Sequence, residues 1–496
     1  MTVRYGQFYF GADMQTSSRS PRNAASLIAI LLGGALAGCA MMPKDGATPA
    51  PKPPGAYATS QSFTAPAADW PKLDWWRAYG DTELNGLIDE ALSGSPTLAQ
   101  AKARLDKAKA DLGTARAGLF PTLALSGSVY EAKQSYNFGI PPEFVPHGYN
   151  DYATGLLNFN YEFDFWGKNR GAVSAATSEA RAANADAAAA RLILSTAVAG
   201  AYADLSRLYA ERDVAERAAQ SRQETYDLVA RRVTDGADNR SASQQAMAGV
   251  HTAKASLAEI DEDIGLTRDE LAALLGEGPD RGLSIARPGG ATIKAFGLPA
   301  NLAADLIGRR PDVVAARWRA EAAAKRIGVA KAQFYPDINL VADLGFEALH
   351  VHNFLESGSD VGSVGPAATL PIFEGGRLRA GLRGAQADYA DAVATYDSTL
   401  TQALQEVADA AQSERALGDR LSQSQAALAA DEDAYRIARL RYEGGLSDYQ
   451  SVLLVEDSVL TDRRVVVDLQ ARAFTLDIQL VKALGGGFQV QDQTHG

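Results

Sequence analysis

The 496-residue chain has a single cysteine, Cys39, and five histidines. One cysteine excludes an internal disulfide and any multi-cysteine metal site. The histidines are His147, His251, His350, His352 and His495, and only "HVH" at 350–352 sets two imidazoles on one face of an extended chain. No defined set of Cys, His and carboxylate surrounds that pair in sequence, so neither a metal site nor a hydrolase constellation is expected. No glycine-rich phosphate loop follows a suitable strand, and "GGG" at 485–487 reads as the end of the last helix. No cofactor and no enzymatic activity are expected. Positive charge is also short: 48 Lys and Arg face 60 Asp and Glu, a net charge of -12 without a basic run. That balance argues against a nucleic-acid surface, which needs clustered Lys and Arg.

The apolar run "AASLIAILLGGALAGCA" follows Arg19 and Arg22 and is too short to span a membrane as a permanent helix. Its flanking charge, length and small-residue ending are those of a secretory signal. The closing "LAGC", Leu36 to Cys39, resembles a bacterial lipobox, which implies a mature chain starting at Cys39 with acyl chains on its thiol and amino group. Ala40, rather than an aspartate, after that cysteine reads as an outer-membrane address. Residues 1–38 are then a lipoprotein signal peptide, and 39–73, rich in Pro, Ala, Gly and Ser, is expected to bury little and act as an extended tether.

Beyond the tether the chain repeats itself. "RAGLFPTLALSGSV" at 116–129 recurs as "KAQFYPDINLVADL" at 331–344, "FDFWGKNRGAV" at 163–173 as "LPIFEGGRLRAGL" at 370–382, and "RRVTDGADNRSASQQA" at 231–246 as "LRYEGGLSDYQSVLLV" at 440–455. Order and spacing are kept, so two copies of one unit are expected, at 74–296 and 297–484, with a tail at 485–496. Proline is missing from Lys168 to about Arg232 and from Gly376 to about Tyr442. A helix over either stretch would approach 100 Å. Leu378, Leu382, Ala385, Tyr389, Val393, Tyr396, Leu400, Leu404 and Val407 step by threes and fours, the spacing of a continuous apolar seam.

Each repeat also offers a strand pair: 122–130 with 152–165, and 337–348 with 363–373. In "LNFNYEFDFWG", 157–167, rings and aliphatics at odd positions alternate with Asn158, Asn160, Glu162 and Asp164. In "DINLVADLGFEA" the polar set includes Asp337, Asn339 and Asp343. Strands present alternate residues to opposite faces, and apolar-out, polar-in segments of about ten residues suit a transmembrane β-barrel with a wet lumen. Four strands cannot close a barrel and open edges are excluded from lipid, so the chain must oligomerise. Two chains give eight strands and a barrel plugged by side chains; three give twelve and room for a lumen. Phe159, Phe163, Leu340 and Leu344 are expected to face lipid.

The segment "GLPANLAADLIGRRPDVVAARWRAEAAAKRIGVAKAQFYPDINL", Gly297 to Leu340, resembles the signature region of TolC-like outer membrane factors, in the NodT-type lipoprotein branch serving resistance-nodulation-division efflux systems. "DWWRAYGDTELNGLIDEAL" at 74–92, "FPTLALSGS" at 120–128, "YEFDFWGKNR" at 161–170 and "LPIFEGGRLRA" at 370–380 extend the similarity. The resemblance implies a mixed α/β membrane protein: a homotrimer whose twelve-stranded transmembrane β-barrel, four strands per chain, continues as a long periplasmic α-helical barrel. It implies a passive outer-membrane efflux duct partnered by a periplasmic adaptor, an inner-membrane pump and outer-membrane lipid. The competing reading is a structural or adhesive surface lipoprotein, which gives no reason for a shared polar strand face.

On the same basis Arg309, Arg310, Pro311 and Asp312 match the family's "RRPD" and are expected to be architectural, starting a helix that runs to Phe334. Gly236 and the pair Gly444 and Gly445 mark the turns of two long hairpins, at a periplasmic tip where gating is expected. Relatives often carry an aspartate nine residues after the tip glycine; here that position is Leu454. Asp448, Glu456 and Asp457 nearby, or Asp238 in the first repeat, either rebuild a negative ring or are solvent-facing charges on helices.

Overall fold

The computed structural model describes residues 49–293 and 296–490. Cys39, the signal segment 1–38 and residues 491–496 of the tail lie outside the described residues. After a 3-10 turn at Trp75–Tyr79 comes α1 (Thr82–Gly94), capped by Asp81, whose side chain accepts from the backbone N–H groups of Glu83 and Leu84 at 2.9 and 3.1 Å. The first repeat then runs α2 (Pro96–Ala117), β1 (Thr122–Ala132), β2 (Asn150–Glu162), α3 (Lys168–Thr234) and α4 (Arg240–Leu275). The one-turn α5 (Asp280–Leu283) and α6 (Leu302–Arg309) lead to the second: α7 (Pro311–Ala332), β3 (Asp337–Leu349), β4 (Asp360–Thr369), α8 (Arg377–Glu443) and α9 (Tyr449–Ala483).

The two repeats match in length as well as order. α2 and α7 have 22 residues each, α3 and α8 have 67, and α4 and α9 have 36 and 35. α2 and α7 both open on a proline, whose missing N–H is one the first turn would leave unpaired anyway. At 1.5 Å per residue α3 and α8 are each about 100 Å long. Neither is held by propensity alone; each buries a seam. In α8, Leu382, Val393, Tyr396, Leu400, Leu404 and Val407 are buried, as the spacing predicts.

The contacts divide the chain into two compact units, and each draws on both repeats. One comprises 116–172 with 326–385 and holds the strands; the other takes in, among described residues, 49–115, 173–325 and 386–490 and holds most of the helices.

In the first unit the strands form one antiparallel sheet in the order β1-β2-β3-β4. Leu157 lies opposite Leu125 and Leu344, while Asn158 lies opposite Ala124 and Asp343. Directly opposed residues share a face, so the alternation seen along each strand is kept in register across the sheet. One side carries Leu123, Leu125, Val129, Leu157, Phe159, Leu340, Leu344 and Val364. Most of it is exposed, Leu125 retaining 80% and Val364 76% of full accessibility, while Phe159 and Leu340 are half-buried. β1 and β4 each have one partner, so both edges of the sheet are open.

In the second unit a core around Trp75, Trp76 and Tyr79 joins α1, α3 and α4. Another joins α6, α7, α8 and α9 through Leu302, Val313, Leu400 and Leu480. Onto it pack Tyr57, Phe63 and Trp70. The described part of the tether has no buried residue among those described, yet it lies against this core. Its few large side chains find an apolar surface, and Ala68 N–H and Leu298 N–H donate to Leu298 and Pro66 carbonyls at 3.0 and 2.8 Å.

Candidate channel surfaces

The polar side of the sheet is a connected surface. Asn158 Nδ2 donates to Ser126 Oγ at 2.8 Å, the Ser128 and Thr154 hydroxyls lie 2.8 Å apart, and Ser363 Oγ donates to Asp343 at 3.2 Å. Asn160, Glu162, Asp337 and Asn339 occupy the same side toward the end where α3 begins. Asp164 does not join them. β2 ends at Glu162, and the Asp164 carboxylate accepts from the backbone N–H groups of Asn169 and Arg170 at 3.1 and 2.8 Å. It satisfies donors that the first turn of α3 leaves open, and that local competition ends the strand early. Phe163 likewise lies beyond the strand.

The two hairpin turns sit where expected and are tied together. Gly236 and Gly445 have φ of +72° and +74°, the left-handed region that a tight helix-to-helix turn requires; Gly444 precedes the latter. The Tyr442 hydroxyl, buried at the end of α8, donates to Asp238 at 2.6 Å. Arg232 lies 4.5 Å from the Tyr442 ring centre and donates to the Glu443 carbonyl at 3.2 Å. Burial first, and the Asp238 carboxylate second, push the Tyr442 phenol well above its ordinary range. Asp448 is the cap of α9, accepting from Ser451 N–H at 3.1 Å and Ser451 Oγ at 2.7 Å. Those bonds to Ser451 hold its carboxyl below the usual value.

Glu456 differs most from an exposed gate charge. It is 2% exposed, accepts from Arg222 Nη1 at 2.8 Å and from Ser221 Oγ at 3.0 Å, and Arg222 also pairs with Asp457. Arg222 and Glu456 form a buried pair between α3 and α9, with Asp457 at its exposed rim. Burial pushes the Glu456 carboxyl up and Arg222 draws it part of the way back, leaving it above its ordinary value. Asp457 and Leu454 are each 60% exposed. Arg222 escaped the sequence reading, although a signal was there. Val214, Ala218, Arg222, Thr225 and Val229 are buried at steps of four, four, three and four, so a guanidinium occupies a seam position.

The "RRPD" residues span the junction of two helices: Arg309 ends α6, Arg310 caps it, and Pro311 and Asp312 open α7. Arg310 is buried and grips Asp312 with two bonds, at 3.0 and 2.6 Å, while also pairing with Glu406 of α8. Arg309 lies 4.9 Å from the Trp70 ring centre. Pro311 is the first residue of α7, which ends at Ala332, and "GGG" follows α9.

A family model described as outer membrane efflux protein matches residues 87–277 and 302–486. The chain belongs to the outer membrane efflux protein family. The multidrug resistance outer membrane protein MdtP of Escherichia coli K12 is 30% identical over 93% of this chain and 96% of its own. The fusaric acid resistance protein FusA of Burkholderia cepacia is 36% identical over 75% of this chain and 71% of its own. The crystal structure of the outer membrane protein VceC from Vibrio cholerae superposes with a TM-score of 0.80 at 46% identity, covering 85% of this chain and 100% of that one. The Campylobacter jejuni CmeC outer membrane channel matches in fold, at a TM-score of 0.80 and 24% identity over 91% and 95% of the two chains. Within this efflux protein family the chain is an outer-membrane channel component. Its fold is that of the outer-membrane channels it matches, with one four-stranded sheet and two long helical hairpins per chain.

Proposed function

We propose that three copies of this chain form a passive duct across the outer membrane. In this reading small molecules, delivered by an inner-membrane resistance-nodulation-division pump through a periplasmic adaptor, leave through it. The observation that carries the reading is the sheet: an exposed apolar side, a hydrogen-bonded polar side and two open edges. An open edge in lipid leaves backbone groups unpaired at several kcal/mol each, and pairing β4 of one copy with β1 of the next removes every edge. α2, which buries no residue within its own chain, supplies a second surface for the neighbouring copy.

Asn158, Asn160, Glu162, Asp337, Asn339 and Asp343 then line the wet interior, and Cys39 carries the lipid that adds a second attachment. The chain performs no reaction, so the partner supplies the energy. Multidrug and fusaric acid resistance in the names of two relatives point to organic cargo, and the name of a third, the cation efflux system protein CusC, 27% identical over 92% of this chain, to cations. A structural or adhesive lipoprotein needs no polar interior. Purified protein in planar bilayers tests the difference: discrete ion conductance is expected, and none at all, even after the tip is loosened by Tyr442→Phe, would leave only the adhesive reading. Intact mass of detergent-extracted protein checks the anchor, an unmodified Cys39 being the contrary result.

A further inference from the structure

The four strands contain no lysine or arginine. Their polar side carries the carboxylates of Glu162, Asp337, Asp343 and Glu347. Against one end of it the fold brings an ammonium, that of Lys168, the first residue of α3. Its Nζ lies 2.7 Å from Glu162 Oε1 on β2 and 3.0 Å from Asp337 Oδ1 on β3. Arg170, two residues on, is held by Asp164 in the helix cap. The three side chains of the Lys168 cluster keep 26%, 25% and 47% of their accessibility, so their charge reaches solvent.

We propose that Lys168 is a specificity-determining residue of the duct, setting the charge of a ring where the strands give way to the long helices and limiting its preference for cations. The inference rests on the duct reading above. Two carboxylates and one ammonium leave one net negative charge per chain; without Lys168 there would be two. Around a trimer the ring goes from three negative charges to six. A charged constriction with low-dielectric walls concentrates counter-ions, and at 0.1 M salt the screening length of about 10 Å lets such a ring act on passing ions. Cargo of either charge passes the same ring, so an anionic solute meets a lower barrier with Lys168 present than without it.

The test is the reversal potential of purified protein in planar bilayers under a KCl gradient near 0.1 M. Lys168→Met keeps most of the aliphatic stem and should raise the cation-over-anion permeability ratio at least about twofold. Lys168→Arg should match the wild type, and Glu162→Gln with Asp337→Asn should lower the ratio. A purely structural clamp would lose stability in Lys168→Met without moving the potential. Conducting channels whose reversal potential is unchanged by Lys168→Met, or by the double neutralisation should Lys168→Met not assemble, overturn the inference while leaving the duct intact. Absence of conductance in every variant, the wild type and Tyr442→Phe included, overturns the duct and this inference with it.

Discussion

Removing Arg222 should loosen the helical seam near the tip far more than removing its partner. Arg222→Met leaves the Glu456 carboxylate buried, with Ser221 as the remaining donor seen in the structure. Breaking a buried pair so that one charge is left uncompensated costs about 3–5 kcal/mol. Glu456→Gln keeps the side-chain shape and leaves Arg222 paired with the exposed Asp457. Its loss is one charge-assisted hydrogen-bonding partner, about 1–3 kcal/mol.

Hydrogen exchange followed by mass spectrometry reads local opening directly. Peptides covering 218–232 and 449–462 should exchange about 10²- to 4 × 10³-fold faster in Arg222→Met and much less so in Glu456→Gln. The pH dependence has a definite sign. Because the folded carboxyl lies above its ordinary value of 4.5, the native chain binds that proton more readily than the unfolded one. Its contribution is fully present below 4.5 and is lost as pH rises through the folded value. Losing the guanidinium raises the folded value further, so the deficit of Arg222→Met relative to wild type should shrink between about pH 7 and pH 5. Equal exchange in the two variants, or a deficit that grows on acidification, would refute the reasoning.

Tyr442→Phe removes the hydroxyl that donates to Asp238, at about 1–3 kcal/mol; single-channel recordings should show higher resting conductance, and an unchanged resting state would place the restraint elsewhere. Leu344→Arg puts a charge on the exposed apolar side of the sheet and should cost about 2–4 kcal/mol near mid-bilayer, measured by denaturant unfolding in vesicles, whereas Asp343→Asn on the opposite side should leave unfolding nearly unchanged. Gly345→Ala would set a Cβ 2.0 Å from the Gly155 carbonyl oxygen, so β2 and β3 should fail to pair in this register; a normal yield of folded trimer on gels would contradict it.

The local periodicities carried most of the architecture. A proline-free, Ala-rich stretch stepping by threes and fours becomes a 67-residue helix in each repeat, because helical hydrogen bonds join near neighbours and need no distant partner. Strand alternation settled which residues share a side of the sheet, since the period of two is intrinsic to the extended chain. The end of β2 was different. Whether Asp164 continues the strand or caps α3 depends on a competition between ladder and cap that alternation does not register. The docked segment 49–73 was illegible for a related reason: Tyr57, Phe63 and Trp70 are too sparse to form a pattern and acquire meaning only against the surface made by α6 and α8. The tip acids divide in the same way. A carboxylate in the sequence is only a charge. Asp448 became a cap through Ser451, three residues away, whereas Glu456 became the buried partner of Arg222 across 234 residues. Repeats, long helices and two-sided strands were legible in advance because they follow from spacing along the chain. Tertiary structure decided which charges are buried, paired or left facing solvent, because that depends on which distant segments exclude water from one another.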